Sequence, residues 1–154
     1  MTDTWGPSTW NFIHNLVDKL NDEHIEKSIV HVWNRIIILM QNLPCQHCSS
    51  HAYALLKNVN VHTIKDKQIL KELLFRFHNV INKKLNKETA SLEILLEYEC
   101  IPLKTSLYNL SVSWKKVTNK MTIHEYASKI KISNTLSNLI NWIKTNKRVF
   151  IGLE

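Results

Sequence analysis

Apolar residues recur along this chain at three- and four-residue spacing, the period of an amphipathic helix, far more often than they alternate. Trp10, Ile13, His14 and Val17 fall on one face of a helix expected over residues 7–20. Pro7 suits its first turn, where the missing N–H has no helical partner to lose. Asn21, Asp22 and Glu23 offer a cap and an acidic first turn for a second helix over 23–42, with Ile25, Ile29, Val32, Trp33, Ile36 and Met40 facing inward. Asn42-Leu43-Pro44 breaks it, and a third helix is expected from about Cys45 to Lys57. Residues 58–63 read as a loop. A fourth helix over 66–86 carries Leu70, Leu73, Leu74, Phe77 and Ile81, and Thr89 is placed to cap a short fifth over 91–99.

Beyond Pro102 the periodicity weakens. Residues 105–118 mix Ser, Thr, Tyr, Val and Trp with polar neighbours and read as a short extended segment. Two further helices are expected over 122–131 and 134–147, the second capped by Ser133 or Asn134. The predicted fold class is all-α: an antiparallel four-helix bundle with a short fifth helix, then a mostly helical C-terminal extension. The expected division is residues 1–104 and a basic extension over 105–154. Only two glycines and three prolines occur in 154 residues, which argues against a sheet built on tight hairpins. That length suffices for one buried core.

Charge changes the picture only in the last third. Residues 1–105 carry 12 basic and 11 acidic side chains, and residues 106–154 carry 8 and 2, so +6 of the net +7 lies beyond residue 105. A solvated helical surface with a basic tail accounts for this, and contact with an acidic partner is the other reading. Nucleic acid is disfavoured because the basic residues are mostly Lys and form no visible stripe. No apolar run reaches the roughly 18 residues of a membrane span, and residues 36–40, the longest candidate, follow Arg35. The start Met-Thr-Asp-Thr-Trp lacks a basic, apolar leader, so a cytoplasmic setting is expected.

Three cysteines do not make a secreted disulfide framework. Two of them form Cys45-Gln46-His47-Cys48 behind Leu43-Pro44. A disulfide there closes so small a loop that chain entropy supplies about 2 kcal/mol, against about 3 for a 15-residue loop. Reactivity is the better use. At a helix N-terminus, free N–H donors and the positive dipole end favour a thiolate, and residues three apart share a face. A zinc site from Cys45, Cys48 and His51 with Cys100 or His47 lacks the second close-spaced pair usual in such sites, and no metal is expected. A thioredoxin-like enzyme needs a βαβ context that is missing.

Three segments, in order and at matching separation over residues 5–100, resemble the Erv/ALR family of FAD-linked sulfhydryl oxidases. Gly6-Pro7-Ser8-Thr9-Trp10-Asn11-Phe12-Ile13-His14 is similar to the family's G-x-x-x-W-x-x-x-H, and Pro44-Cys45-Gln46-His47-Cys48 to its P-C-x-x-C. His78-Asn79-Val80-Ile81-Asn82-Lys83-Lys84-Leu85-Asn86-Lys87 resembles H-N-x-V-N-x-x-L-x-K, with Ile81 at the Val position. Trp-Gly-Pro near the start and Cys48-Ser49-Ser50-His51-Ala52 look most like the small viral members.

The resemblance implies a helical bundle holding FAD at one end, as a homodimer. It places Gly6, Trp10 and His14 against the flavin and adenine portions, and His78, Asn79, Ile81, Asn82 and Leu85 around the cofactor. Lys83, Lys84 and Lys87 fall near its phosphates or adenine. A substrate dithiol attacks Cys45, Cys48 faces the flavin with His51 three residues on, and electrons pass to O₂ with release of hydrogen peroxide. Protein dithiols, thioredoxin-like substrates among them, are the implied partners, in the host cytoplasm or the virion if viral. Departures exist. The second CxxC arm of many cellular members is absent, Asn86-Lys87-Glu88 stands where Gly-Lys-Pro often ends the motif, and Cys100 has no free partner. Cys100 reads as a buried thiol, an intermolecular bridge or a substitute shuttle. The alternative is a non-enzymatic helical module that binds a protein or nucleic acid through its basic last third.

Overall fold

A computed structural model describes residues 4–153. Met1, Thr2 and Asp3, on which the expected lack of a leader partly rests, lie outside the described residues, as does Glu154. The fold is all-α, as expected, and among the described residues the one β-type pairing is an isolated bridge between Leu20 and Phe150.

Helix α1 (Gly6–Asp18) is the central element and packs against four others. Phe12, Ile13, Leu16 and Val17 are all but inaccessible, and of the predicted stripe Ile13, His14 and Val17 are buried while Trp10 is partly exposed. Helix α2 (Ile25–Met40) buries Ile29, Val32, Trp33, Ile36 and Met40. Its cap differs from expectation: Asn21 Oδ1 accepts from the Glu23 N–H at 3.1 Å in a local turn, and His24, in a left-handed conformation (φ 57°), precedes the helix. Helix α3 (Gln46–Leu56) follows Pro44, and the Cys45 sulfur caps it by accepting the Cys48 N–H at 3.2 Å. Helix α4 (Lys67–Lys84) is capped by Asp66, and helix α5 (Leu92–Glu99) begins after Ser91, which takes the cap position expected of Thr89.

The last third corrects two expectations. Residues 103–118 are not extended but form helix α6 (Leu103–Thr118). Leu103, Ser106, Leu110, Ser113 and Trp114 are buried at helical spacing, and the serines on the inward face masked the period. Packing on α1 overrides the β-propensity of Val, Thr, Tyr and Trp. The two later helices are one, α7 (Tyr126–Thr145), entered through a short 3-10 turn (Ile123–Glu125) that carries a capping box between Thr122 and Glu125. Ser133 and Asn134 are exposed and do not interrupt it, while Ile132, Leu136, Leu139 and Ile143 carry the buried stripe through.

Polar contacts tie α6 to α1. The Trp114 indole N–H donates to Thr9 Oγ1 at 2.9 Å, and the Ser8 and Ser113 hydroxyls meet at 2.5 Å. Ser106 donates to Asn15 Oδ1 at 2.9 Å, while Asn15 Nδ2 donates to the Tyr98 and Ile101 carbonyls, both at 2.7 Å. The chain end clamps the far end of α1, the Asn21 N–H donating to the Val149 carbonyl at 2.8 Å and the Ile151 N–H to that of Lys19 at 2.7 Å.

Candidate active site

Cys45 and Cys48 form a disulfide with Cα atoms 5.2 Å apart, at the N-terminus of α3. Cys48 borders a cavity of about 420 Å³, within the size range of small-molecule sites. Both cysteines are half-buried, and Cys45 is not among the residues that line this cavity.

Four layers build the cavity. Trp5, Gly6, Thr9 and Trp10 supply the start of α1, Met40 and Leu43 the end of α2, and His47, Cys48, His51 and Ala52 the first turns of α3. The fourth side runs from Phe77, His78, Ile81, Asn82 and Lys84 through Leu85, Lys87 and Ala90 to Ile94 and Tyr98. None of the described lining residues is a carboxylate.

The aromatic side is closely stacked. Trp10 lies parallel to His78 (4.0 Å between ring centroids, 11°) and edge-on to Phe77 (5.3 Å, 65°). Behind it, His14 Nε2 and His78 Nδ1 are 3.1 Å apart, and Tyr98 stacks on His14 at 5.4 Å. Burial, reinforced by His78 and Lys71, lowers the His14 pKa to about 3, and burial lowers that of His78 to about 4. Both rings are therefore neutral at neutral pH, one donating and the other accepting. Tyr98 is pushed up by burial and then by Glu97. At the mouth, the His47 and His51 rings meet edge to face at 4.2 Å, and desolvation, then Lys84 and His47, lower the His51 pKa.

The structure gathers ten of the residues singled out from sequence around one cavity: Gly6, Trp10, Cys48, His51, His78, Ile81, Asn82, Lys84, Leu85 and Lys87. Three others lie elsewhere. His14 stands behind His78, the exposed Lys83 is not in the wall, and Asn79 holds the Ala90 backbone. Its Oδ1 accepts the Ala90 N–H at 2.7 Å and its Nδ2 donates to the Ala90 carbonyl at 3.2 Å, fixing the segment that carries Lys87. Sequence reasoning left out Trp5, Thr9, Met40, Leu43, His47, Phe77, Ile94 and Tyr98. Ile94 and Tyr98 do share one face of α5, a periodic signal, but only packing shows what they face.

Cys100 is exposed rather than buried, which removes the buried-thiol reading. Among the described residues no group of three or more His, Cys, Asp or Glu side chains gathers as metal ligands would. No helix among them is long and apolar enough to cross a membrane.

Fold and site together define a helical protein with a disulfide at the wall of an aromatic cavity whose described lining holds no carboxylate. The Erv1 / Alr family model matches residues 7–100, and the chain belongs to that family. It is similar to the "FAD-linked sulfhydryl oxidase" of African swine fever virus, 32% identical over 105 residues in a Kenyan isolate, covering 68% of this chain and 87% of that one. The protein of the same name from a Malawian isolate is 31% identical over 87 residues (56% and 72% covered). Protein 347L of Invertebrate iridescent virus 6 is 28% identical over 90 residues (54% and 80% covered). No solved structure matches the chain.

Proposed function

We propose that this chain is an FAD-linked thiol oxidase that makes disulfides in protein dithiols, with Cys45 meeting the substrate and Cys48 facing the cofactor. One observation carries the reading: Cys48 lines the cavity, and its disulfide partner Cys45 does not. The names of the viral relatives support the same activity and cofactor.

The residues present fit FAD. Trp10 and His78 offer flat, neutral faces for a planar ring system. Lys84 and Lys87 lie on the wall and supply the positive charge that a pyrophosphate favours. FAD, when bound, supplies two-electron chemistry, accepting the electron pair of a dithiol and handing it to O₂ with formation of hydrogen peroxide.

The chain's own steps are thiol–disulfide exchanges. A substrate thiolate attacks Cys45 Sγ and the Cys45–Cys48 bond breaks, leaving its electron pair on Cys48 as a thiolate. Unpaired N–H groups at the start of α3 stabilise that charge. The second substrate thiolate then attacks the substrate sulfur of the mixed disulfide and expels Cys45. The 154 residues carry a single CxxC, which supports direct attack of the client on Cys45. The family supports a homodimer, and the viral relatives support a host-cytoplasm or virion setting; sedimentation and fractionation of infected cells test these. The alternative of a non-enzymatic module is not favoured, since the relatives bear an enzyme's name.

The visible spectrum of the purified protein is the direct test. A yellow protein that consumes oxygen and releases peroxide with dithiothreitol is expected. A colourless protein, or one inert towards dithiols, overturns the reading.

A further inference from the structure

The feature that the reaction has not yet used is the pair of imidazoles at the cavity mouth. His47 lies inside the redox motif itself and His51 one helical turn on, and their rings meet at 4.2 Å with 63° between planes. Both border the cavity together with Cys48 and Lys84. From the other elements, the titratable groups on this cavity are His78 and Lys84 of α4, Lys87 after it, and Tyr98 of α5; α1 and α2 contribute none.

Two imidazolium rings this close, with Lys84 beside them, repel one another, so double protonation of the pair is disfavoured. The edge-to-face arrangement suits a single added proton, because the edge of a charged ring rests against the negative face of a neutral one. None of the described residues on the cavity wall is a carboxylate. A proton shared by the pair therefore faces no described counter-ion there, and a thiolate forming at this mouth can draw on it.

We infer that His47 and His51 act as a single-charge imidazole pair that stabilises the Cys48 thiolate as it leaves the disulfide. This deepens the thiol-oxidase reading and rests on it. In the step concerned, a substrate thiolate forms a bond to Cys45 Sγ, the Cys45–Cys48 bond breaks, and its electron pair departs on Cys48 Sγ. The substrate sulfur is oxidised to the mixed disulfide, the cysteine pair is reduced, and the proton of the substrate thiol has already gone to solvent. A leaving thiolate of lower basicity departs faster, so the charge on the pair raises the rate at Cys45. Protonation of His51 is disfavoured, by desolvation first and then by Lys84 and His47.

The test follows the Cys48 thiolate in the flavin-loaded Cys45→Ser protein, by its ultraviolet absorbance against pH, with and without His47→Gln and His51→Gln. Removing both imidazoles is expected to raise the Cys48 pKa by about one unit. In the protein with both cysteines, anaerobic reduction of the disulfide by dithiothreitol at neutral pH is expected to slow roughly tenfold. Should His51→Gln shed the cofactor, the exposed His47→Gln alone carries the same readouts with about half the shift. An unchanged Cys48 titration overturns the inference, as does loss of flavin affinity with the titration intact, which assigns the pair to the cofactor phosphates. The two readings fail separately: wild-type turnover with an unmoved Cys48 titration sinks only this one, while a moved titration without turnover sinks the oxidase.

Discussion

Thr9 and Trp114, separated by 105 positions, are joined by one hydrogen bond from the indole N–H to Thr9 Oγ1 at 2.9 Å. Thr9 passes the contact on, its hydroxyl donating to the Trp5 carbonyl at 2.7 Å, and Thr9 and Trp5 both line the cavity. Trp114 is fully buried in α6, which begins after the family match ends at residue 100. Trp114→Ala is expected to cost about 3–5 kcal/mol of stability. Trp114→Phe keeps most of the volume but leaves a buried pairing unmade, at about 1–2 kcal/mol, and should weaken flavin retention too. Denaturant midpoints and the flavin-to-protein absorbance ratio check both.

Removing residues 105–154 takes away Leu110 and Trp114 and uncovers α1, whose tightest neighbour is α6. The shortened chain is expected to lose cooperative unfolding and to bind no flavin. A folded, yellow protein of residues 1–104 contradicts this.

Stability should fall with acid in a defined window. His14 and His78 have folded-state pKa values of about 3 and about 4, below the unfolded value of 6.5. Between those limits the unfolded chain binds more protons, so their contribution is complete above pH 6.5 and is lost as pH falls towards 3. Urea midpoints measured from pH 7 to pH 5 should decline, and the slope should flatten in His14→Gln and His78→Gln.

The two sulfurs should meet a client unequally. A client with a single thiol should form a mixed disulfide with Cys45 of the wild-type protein, the Cys45–Cys48 bond breaking and its electron pair leaving on Cys48, visible by mass spectrometry. Cys48→Ser should retain flavin, and both Cys48→Ser and Cys45→Ser should lose most oxygen consumption. Client found on Cys48 as often as on Cys45 contradicts the assignment.

Asn79 acts on the cavity through the Ala90 backbone rather than by lining it. Asn79→Asp keeps the acceptor for the Ala90 N–H but sets a carboxylate against the Ala90 carbonyl. It should loosen the segment bearing Lys87 and lower flavin affinity by about 0.5–1.5 kcal/mol, the scale of one hydrogen bond. Titration of apoprotein with FAD measures it.

Much of the site was legible in the primary structure because its residues come as short motifs on helices. Helical spacing alone puts Trp10 and His14, or His78 and Ile81 with Asn82, near one another. The residues left out, such as Trp5, Thr9, Met40 and Leu43, lack a motif of their own and reach the cavity only through the packing of α1 on α2 and α3. Asn79 shows the converse: it belongs to the motif, yet its amide is spent on a backbone eleven residues away.

By itself, then, the sequence determined the all-α fold class, the start of α3 just after Cys45 and the set of groups available for thiol chemistry. These are local properties, set by period, by Pro44 and by residue type. Tertiary structure decided which sulfur borders the cavity, that His14 and His78 are neutral, and that residues 103–118 are a helix locked onto α1. Those outcomes depend on burial and on contacts between distant residues. The serines on the inward face of α6 carry no hydrophobic signal until α1 is packed against them.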